Sequence, residues 1–422
     1  MFWVTLSELM DLKKIEIKEL RNYIIFGSGQ FVNLLAPLLV APYVISVCGI
    51  EQWGKIGAAT SAFIILEIFI DFGSKLLGVK EISSNLENKN RIAQYLNVTY
   101  AFRFIALLFI IICLILILIF IPNLDINLYL FGSFLLISQF FNPIWFYIGI
   151  ENFKRINRLI IVSKAIYILL VYLFVKQKSD YIYVIFFLGI GNTLVYSYYY
   201  FQIFKEYKMS LLSISKKTLI DSVKREYPII ISNLSISVYT NFPILIVKYI
   251  LGDFYAGIYK IGDMFLSVLR SYLTVFFNVS FPKFCSIYFN NKKEAVSYLK
   301  KMNGANILFL TFVVIVLYLV SLFFIDEFNL DKKLMTSFLF CSPILFVSLI
   351  VAVNIPFYQM LILKNKQKKI AQISFLGALV MFFGCYFLTE KFSLQGSIIS
   401  LYIVEIFITV SIIISSLALF KE

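Results

Sequence analysis

Asn142-Pro-Ile-Trp-Phe-Tyr-Ile-Gly-Ile-Glu-Asn-Phe-Lys-Arg155 lies between two apolar runs, and its composition says what those runs are. The first run ends on Trp145, Tyr147 and Gly149; a short polar hinge follows, with Lys154, Arg155 and, just beyond, Arg158. Tryptophan and tyrosine favour the boundary between bilayer and water, and Lys and Arg favour its cytoplasmic side. The stretch therefore marks a membrane boundary and the side it faces. Trp145 and Tyr147 have two readings here: interfacial anchors, or the lining of an entrance.

Outward from this hinge the pattern repeats. The chain has 422 residues, 60% hydrophobic and only 15% charged, whereas soluble domains are about a quarter charged. Apolar runs at 23–47, 55–79, 97–122, 127–149, 158–176, 182–203, 227–249, 254–281, 304–325, 334–360, 370–390 and 394–419 are each long enough for a helix to cross a bilayer. They predict an all-α polytopic membrane protein with twelve transmembrane helices. A barrel would show ~10-residue alternating segments. With the N-terminus inside, the cytoplasmic segments hold 26 Lys and Arg and the outer ones 7. That bias places both termini in the cytoplasm.

The net charge of +14 is accounted for by these loops, so no nucleic-acid partner is implied. There is no histidine, which removes His-based metal sites and proton relays. The five cysteines are scattered and read as small core hydrophobes, not ligands. No phosphate-binding G-x-x-x-x-G-K-[ST] motif occurs, and the longest outer loop, around Asp326–Lys333, is too short to house an active site. The expectation is a transporter, not an enzyme, with no cofactor.

The organisation expected is a cytoplasmic amphipathic lead-in (1–22), a six-helix lobe (23–203), a basic cytoplasmic linker (204–226) and a second six-helix lobe (227–422). An offset of 203 residues aligns Gly49 with Gly252, Gly54 with Gly257, Lys89 with Lys292 and Tyr95 with Tyr298, and sets Gln30 opposite Asn233. Six spans per half give both halves one orientation. The repeat is therefore parallel, with a pseudo-twofold axis along the membrane normal and the cargo path expected between the halves. Pro37, Pro42, Pro243, Pro343 and Pro356 lie inside spans, where they can kink helices.

Charges inside the spans are costly and mark sites or buried pairs. Glu67, Asp71 and Lys75 of the second span recur every four residues, which predicts that all three lie on one helix face. Span eight carries Lys260, Asp263 and Arg270, and span twelve carries Glu405. Glu67, Asp71, Asp263, Arg270 and Glu405 are too deep to reach water. Lys75, Arg103, Lys164 and Lys260 are near enough to helix ends to snorkel. Lys75, Arg103, Lys164 and Arg270 all fall in the cytoplasmic half, an arrangement suited to an anionic headgroup from the inner leaflet. Gln30, Asn33, Gln139, Asn142, Asn233 and Asn241 offer neutral donors and acceptors, for sugar hydroxyls or for bonds between helices.

Several of these segments also carry a resemblance. Gln30-Phe-Val-Asn-Leu-Leu-Ala-Pro with Pro42-Tyr43, Gly49-x4-Gly54, Asp71-Phe-Gly73, Asn142-Pro-x-Trp-Phe-Tyr-x-Gly-x-Glu151, Asn233-Leu-Ser-Ile-Ser-Val-Tyr-Thr-Asn241 and Gly257-Ile-Tyr occur in order along nearly the whole chain. Together they resemble the O-antigen flippases of the Wzx type, in the multidrug/oligosaccharidyl-lipid/polysaccharide (MOP) exporter superfamily. Ile148 and Ser74-Lys75 depart from the family's usual residues. The resemblance implies a MATE-like fold in the bacterial inner membrane. It implies movement of an undecaprenyl-pyrophosphate-linked oligosaccharide from the inner to the outer leaflet, by alternating access without ATP. It also implies membrane lipids, an O-antigen polymerase and a chain-length regulator as partners.

On that implication Arg270, Arg103, Lys164, Lys75 and Lys260 hold the pyrophosphate. Gln30, Asn33, Asn142, Trp145 and Asn233 meet the sugars, and Asp71, Glu67, Asp263 and Glu405 couple transport to H+ or Na+. The rivals are another exporter of the superfamily (for a capsular or exopolysaccharide lipid-linked sugar, a drug or a cation), a polymerase-type membrane enzyme, and a non-transporting partner of the polysaccharide machinery.

Overall fold

The computed structural model describes residues 6–120, 124–210, 216–327, 339 and 341–421. Most of the expected outer loop Asp326–Lys333 lies outside these, as do residues 1–5 of the lead-in and 211–215 of the basic linker. Among the described residues there is no strand. The helices are α1 (Leu6–Cys48), α2 (Ile50–Asp71), α3 (Val79–Ser83), α4 (Lys89–Phe120), α5 (Ile126–Gly132), α6 (Phe134–Phe141), α7 (Ile144–Gly149), α8 (Phe153–Phe174), α9 (Ile182–Glu206), α10 (Lys216–Leu251), α11 (Asp253–Asn290), α12 (Lys292–Glu327), α13 (Val347–Leu363) and α14 (Gln367–Lys421).

Eleven helical runs among the described residues are long and apolar enough to cross a bilayer. The last, Gln367–Leu417, has 51 residues. At about 1.5 Å per residue that is some 75 Å, more than twice a bilayer core. It is not one rod: Phe392 (φ −119°) and Ser393 (φ 56°, ψ −140°) leave helical geometry. Gly396 lies against the Leu388 carbonyl with no room for a side chain, Ser400 donates to the Met381 sulfur, and Gly377 packs on Ile408. Residues on the two arms thus meet in descending against ascending order, which defines an antiparallel helical hairpin. The run holds two crossings, and the fold is the twelve-helix all-α membrane architecture that the apolar runs predict.

Two compact units are present. The first comprises Met1–Tyr43, Phe69–Lys176 and Ile182–Glu226; the second comprises Val44–Ile68, Gln177–Tyr181 and Tyr227–Glu422. In the first, Tyr100, Trp145, Phe146, Tyr147, Phe72 and Ile82 are fully buried. In the second, Tyr259, Leu266, Phe284, Val347, Met381 and Val404 form the centre. Large apolar side chains remain on the outside, among them Phe109, Phe120, Leu308 and Phe312, as expected where the surrounding medium is hydrocarbon.

Two spans predicted as continuous are broken. The second stops at Asp71: Phe72 (φ 54°) and Gly73 (φ 65°) turn left-handed, and Ser74–Gly78 forms one π-type turn before α3. Glu67 and Asp71 keep their i, i+4 spacing on α2, but Lys75 lies beyond the break, does not share that face, and is exposed. The fourth span is three short helices. Its main break is at Asn142-Pro143, where Pro143 brings no N–H and pushes Asn142 out of helical geometry, to ψ 108°.

Candidate functional site

The two breaks of the first unit are held by one side chain. Pro143 leaves carbonyls at the end of α6 without a helical donor. The Arg103 guanidinium, reaching from α4, supplies it: Nη1 donates to the carbonyls of Gln139 (3.4 Å), Phe140 (3.3 Å) and Asn142 (2.9 Å). Nη2 donates to Ser74 Oγ (2.5 Å) and to Asp71 Oδ1 (3.5 Å), at the break that ends α2. Asp71 Oδ1 also accepts from Gln139 Nε2 (3.1 Å), and Asn142 Nδ2 donates to Gln139 Oε1 (3.0 Å). Tyr100 and Trp145 lie about the guanidinium at 5.3 and 5.6 Å. The ring of Phe72, beside the left-handed turn, stacks on Phe102 at 3.7 Å.

Arg103 is 0% exposed and Asp71 5%. The snorkelling reading of Arg103 is corrected: its partners lie 29 to 39 residues away in sequence, so depth along its own helix said nothing about them. Trp145 is also interior. It is 2% exposed and packs on Gly78, with Tyr95 edge-on at 6.1 Å. The structure places Trp145 neither at a lipid-facing boundary nor at an open mouth. Removing a buried tryptophan costs about 3–5 kcal/mol. Trp145→Ala is therefore expected to lower the amount of folded protein in the membrane fraction, with activity per inserted molecule little changed.

A second charged cluster lies in the second unit. Arg270 Nη2 donates to Glu405 Oε1 at 2.9 Å, from α11 to the second arm of α14. Glu405 is 5% exposed, whereas Arg270 retains 20%. Asp263, seven residues earlier on the same face of α11, lies within electrostatic reach of Arg270, as do Tyr239 and Tyr259. Lys260 pairs with Asp263 at 3.0 Å. The two arginines differ in what they leave free. Both amino nitrogens of Arg103 are committed to protein acceptors. Arg270 has one acceptor among the described residues, and its other donors are unspent.

The remaining predicted residues are dispersed. Gln30 and Asn233 are half-buried and Asn33 exposed, with no side-chain hydrogen bond among the described residues; Lys164 is buried. Arg270, Lys260, Asp263, Glu405, Glu67 and Asn233 fall in the second unit; Arg103, Asp71, Lys75, Lys164, Asn142, Trp145, Gln30 and Asn33 fall in the first. Ser74, Tyr239 and Tyr259 are given no role by the sequence. Tyr239 and Tyr259 stand inside quoted motifs and Ser74 is marked only as a departure from the family's usual residue, but none is charged, and an apolar run hides a lone hydroxyl.

The family described as "Polysaccharide biosynthesis protein" matches residues 20–288. A protein of Shigella dysenteriae described as "Putative O-antigen transporter" is 22% identical over 407 residues, covering 92% of this chain and 97% of its own length. One of Escherichia coli (strain K12), described in the same words, is 23% identical over 297 residues, covering 69% of this chain and 70% of its own. Among solved structures, a multidrug resistance MATE family transporter of the MOP superfamily, in an inward-facing conformation, superposes with a TM-score of 0.70. It is 12% identical, and the match covers 92% of this chain and 94% of that one. The lipid II flippase MurJ, inward closed, superposes at 0.67 with 16% identity, over 93% of this chain and 87% of that one. The chain belongs to the polysaccharide biosynthesis protein family and has the membrane fold shared by MATE transporters and the lipid II flippase.

Proposed function

We propose that the protein is a flippase that moves an oligosaccharide carried on a polyprenyl pyrophosphate, an O-antigen repeat unit, from the cytoplasmic to the periplasmic leaflet of the bacterial inner membrane. Family, fold and relatives all support a transporter rather than an enzyme. The observation that carries the headgroup assignment is Arg270. It is a deep guanidinium in a membrane-crossing helix, anchored by Glu405 through one nitrogen and partly exposed, with donors left for phosphate oxygens. Glu405 and Asp263 are the carboxylates placed to answer that binding with an exchanged H+ or Na+. Arg103 and Asp71 are assigned to holding helices together.

The cycle proposed is alternating access without ATP, with both termini in the cytoplasm, where the basic loops lie. Vesicles containing the purified protein and a fluorescent lipid-pyrophosphate-linked oligosaccharide test this. Inner-leaflet probe should become accessible to an added glycosidase at least tenfold faster than in protein-free vesicles, and a lipid phosphate without sugar should compete. Transport of an organic cation instead, with the lipid-linked sugar left unmoved, would assign the chain to drug efflux.

A further inference from the structure

The 203-residue repeat has a physical counterpart that the transport reading does not use. Gly49 and Gly252, which it pairs, both take left-handed φ, +94° and +90°, and each precedes a membrane-crossing helix, α2 or α11. Those two helices touch. A side chain at Gly54 would strike the Asp253 carbonyl and the Gly257 nitrogen, and one at Gly257 would strike the Ile50 carbonyl. Adding 203 to 50 and 54 yields 253 and 257, so the contact maps onto itself when the repeat copies are exchanged. That is an isologous interface inside a single chain. At Gly54 and Gly257 the closest approach is backbone on backbone, as in glycine crossings in membranes, with the Ile50 side chain beside Gly257 and the Lys260 side chain lying over Gly57, its own repeat partner.

The symmetry is broken by charge. Asp253, in the first turn of α11, lies 4.0 Å from Lys55 of α2 and 3.2 Å from Lys248 at the end of α10. Its repeat partner is Ile50. Lys55 also lies 5.4 Å from the Tyr181 ring. With the termini in the cytoplasm, this end of α2 and α11 is the periplasmic end.

We propose that the Gly54–Gly257 crossing is a reversible outer seal, closed in this structure and pinned by Asp253, which must open for cargo to leave. The inference rests on the transport reading above. Its test is a Lys55→Cys/Asp253→Cys variant, assayed in vesicles with the lipid-linked oligosaccharide before and after bridging by a short bifunctional thiol reagent, with the bridge verified by mass spectrometry. Reduced, the variant should transport; bridged, it should lose at least nine-tenths of that rate and recover on reduction. Equal rates in the bridged and reduced forms would overturn the seal. On the unmodified chain, carbodiimide coupling of Lys55 to Asp253 should lower transport in proportion to the amide found. Lys55→Arg, which keeps the charge but forms no such amide, should be spared that loss. A coupled chain that transports normally would likewise overturn the seal, whereas no transport by the untreated wild type counts against the cargo assignment.

Discussion

Arg103→Ala is expected to deplete the protein from the membrane rather than to yield an inserted, inactive one. The substitution leaves a buried Asp71 carboxylate without its cation and the carbonyls of Phe140 and Asn142 without the guanidinium donor, while the Gln139 carbonyl keeps only the Asn142 N–H at 3.3 Å. Breaking a buried pair from one side costs about 3–5 kcal/mol, because the surviving charge stays desolvated. Each orphaned carbonyl adds a cost of about 1–3 kcal/mol. Against a total stability of ordinarily about 5–15 kcal/mol, that is enough to unfold most molecules. Arg103→Lys should rescue little, since an ammonium cannot span Asn142, Phe140 and Ser74 at once as the planar fork does. Adding Asp71→Asn to Arg103→Ala should recover part of the loss by removing the stranded charge. Membrane-fraction abundance and melting in detergent read all three. Full abundance with selective loss of transport in Arg103→Ala would instead make this arginine a cargo ligand.

Arg270→Ala should give the opposite pattern: normal abundance and no transport. Arg270 has one protein acceptor among the described residues and is partly exposed, so its loss orphans no backbone carbonyl at a helix break and strands only the Glu405 carboxylate. Each charge-assisted hydrogen bond to a phosphate oxygen contributes about 1.5–3 kcal/mol. Loss of two corresponds to a fall of about 100-fold or more in headgroup affinity. Surface O-antigen in a flippase-deficient host should disappear, and binding of the lipid pyrophosphate in detergent should weaken by that factor. Arg270→Lys should restore part of both, because the charge persists without the fork. Undiminished O-antigen in Arg270→Ala would remove the headgroup role.

The span count was legible because crossing a bilayer demands a length of apolar chain that composition displays directly. The last two spans were separable by eye although the helical run continues through them, since Glu390-Lys391 interrupts the apolar run. The breaks were harder. Ser74–Gly78 stays largely apolar after Asp71-Phe-Gly, so hydropathy carried the second span past its true end. Pro143 was visible, but the run around it is apolar on both sides and looked like one helix. The pairing of the charges was not legible at all. Arg103 finds acceptors on two other segments, 71–74 and 139–142, and Arg270 finds Glu405 135 residues away. Spacing along one helix can place two residues on a face, as it did for Asp263 and Arg270, but it cannot say which other helix that face meets.

Arg103 serving two helix breaks at once has a consequence for exchanging parts between relatives. The segments 71–74 and 139–143 do not touch in sequence, yet each is completed by the same guanidinium. A chimaera that imports one of them from a protein with a differently spaced break leaves Arg103 matched to only one side. Transplants meant to alter cargo preference should therefore move 71–74, 103 and 139–143 together as a single cassette, and cut elsewhere.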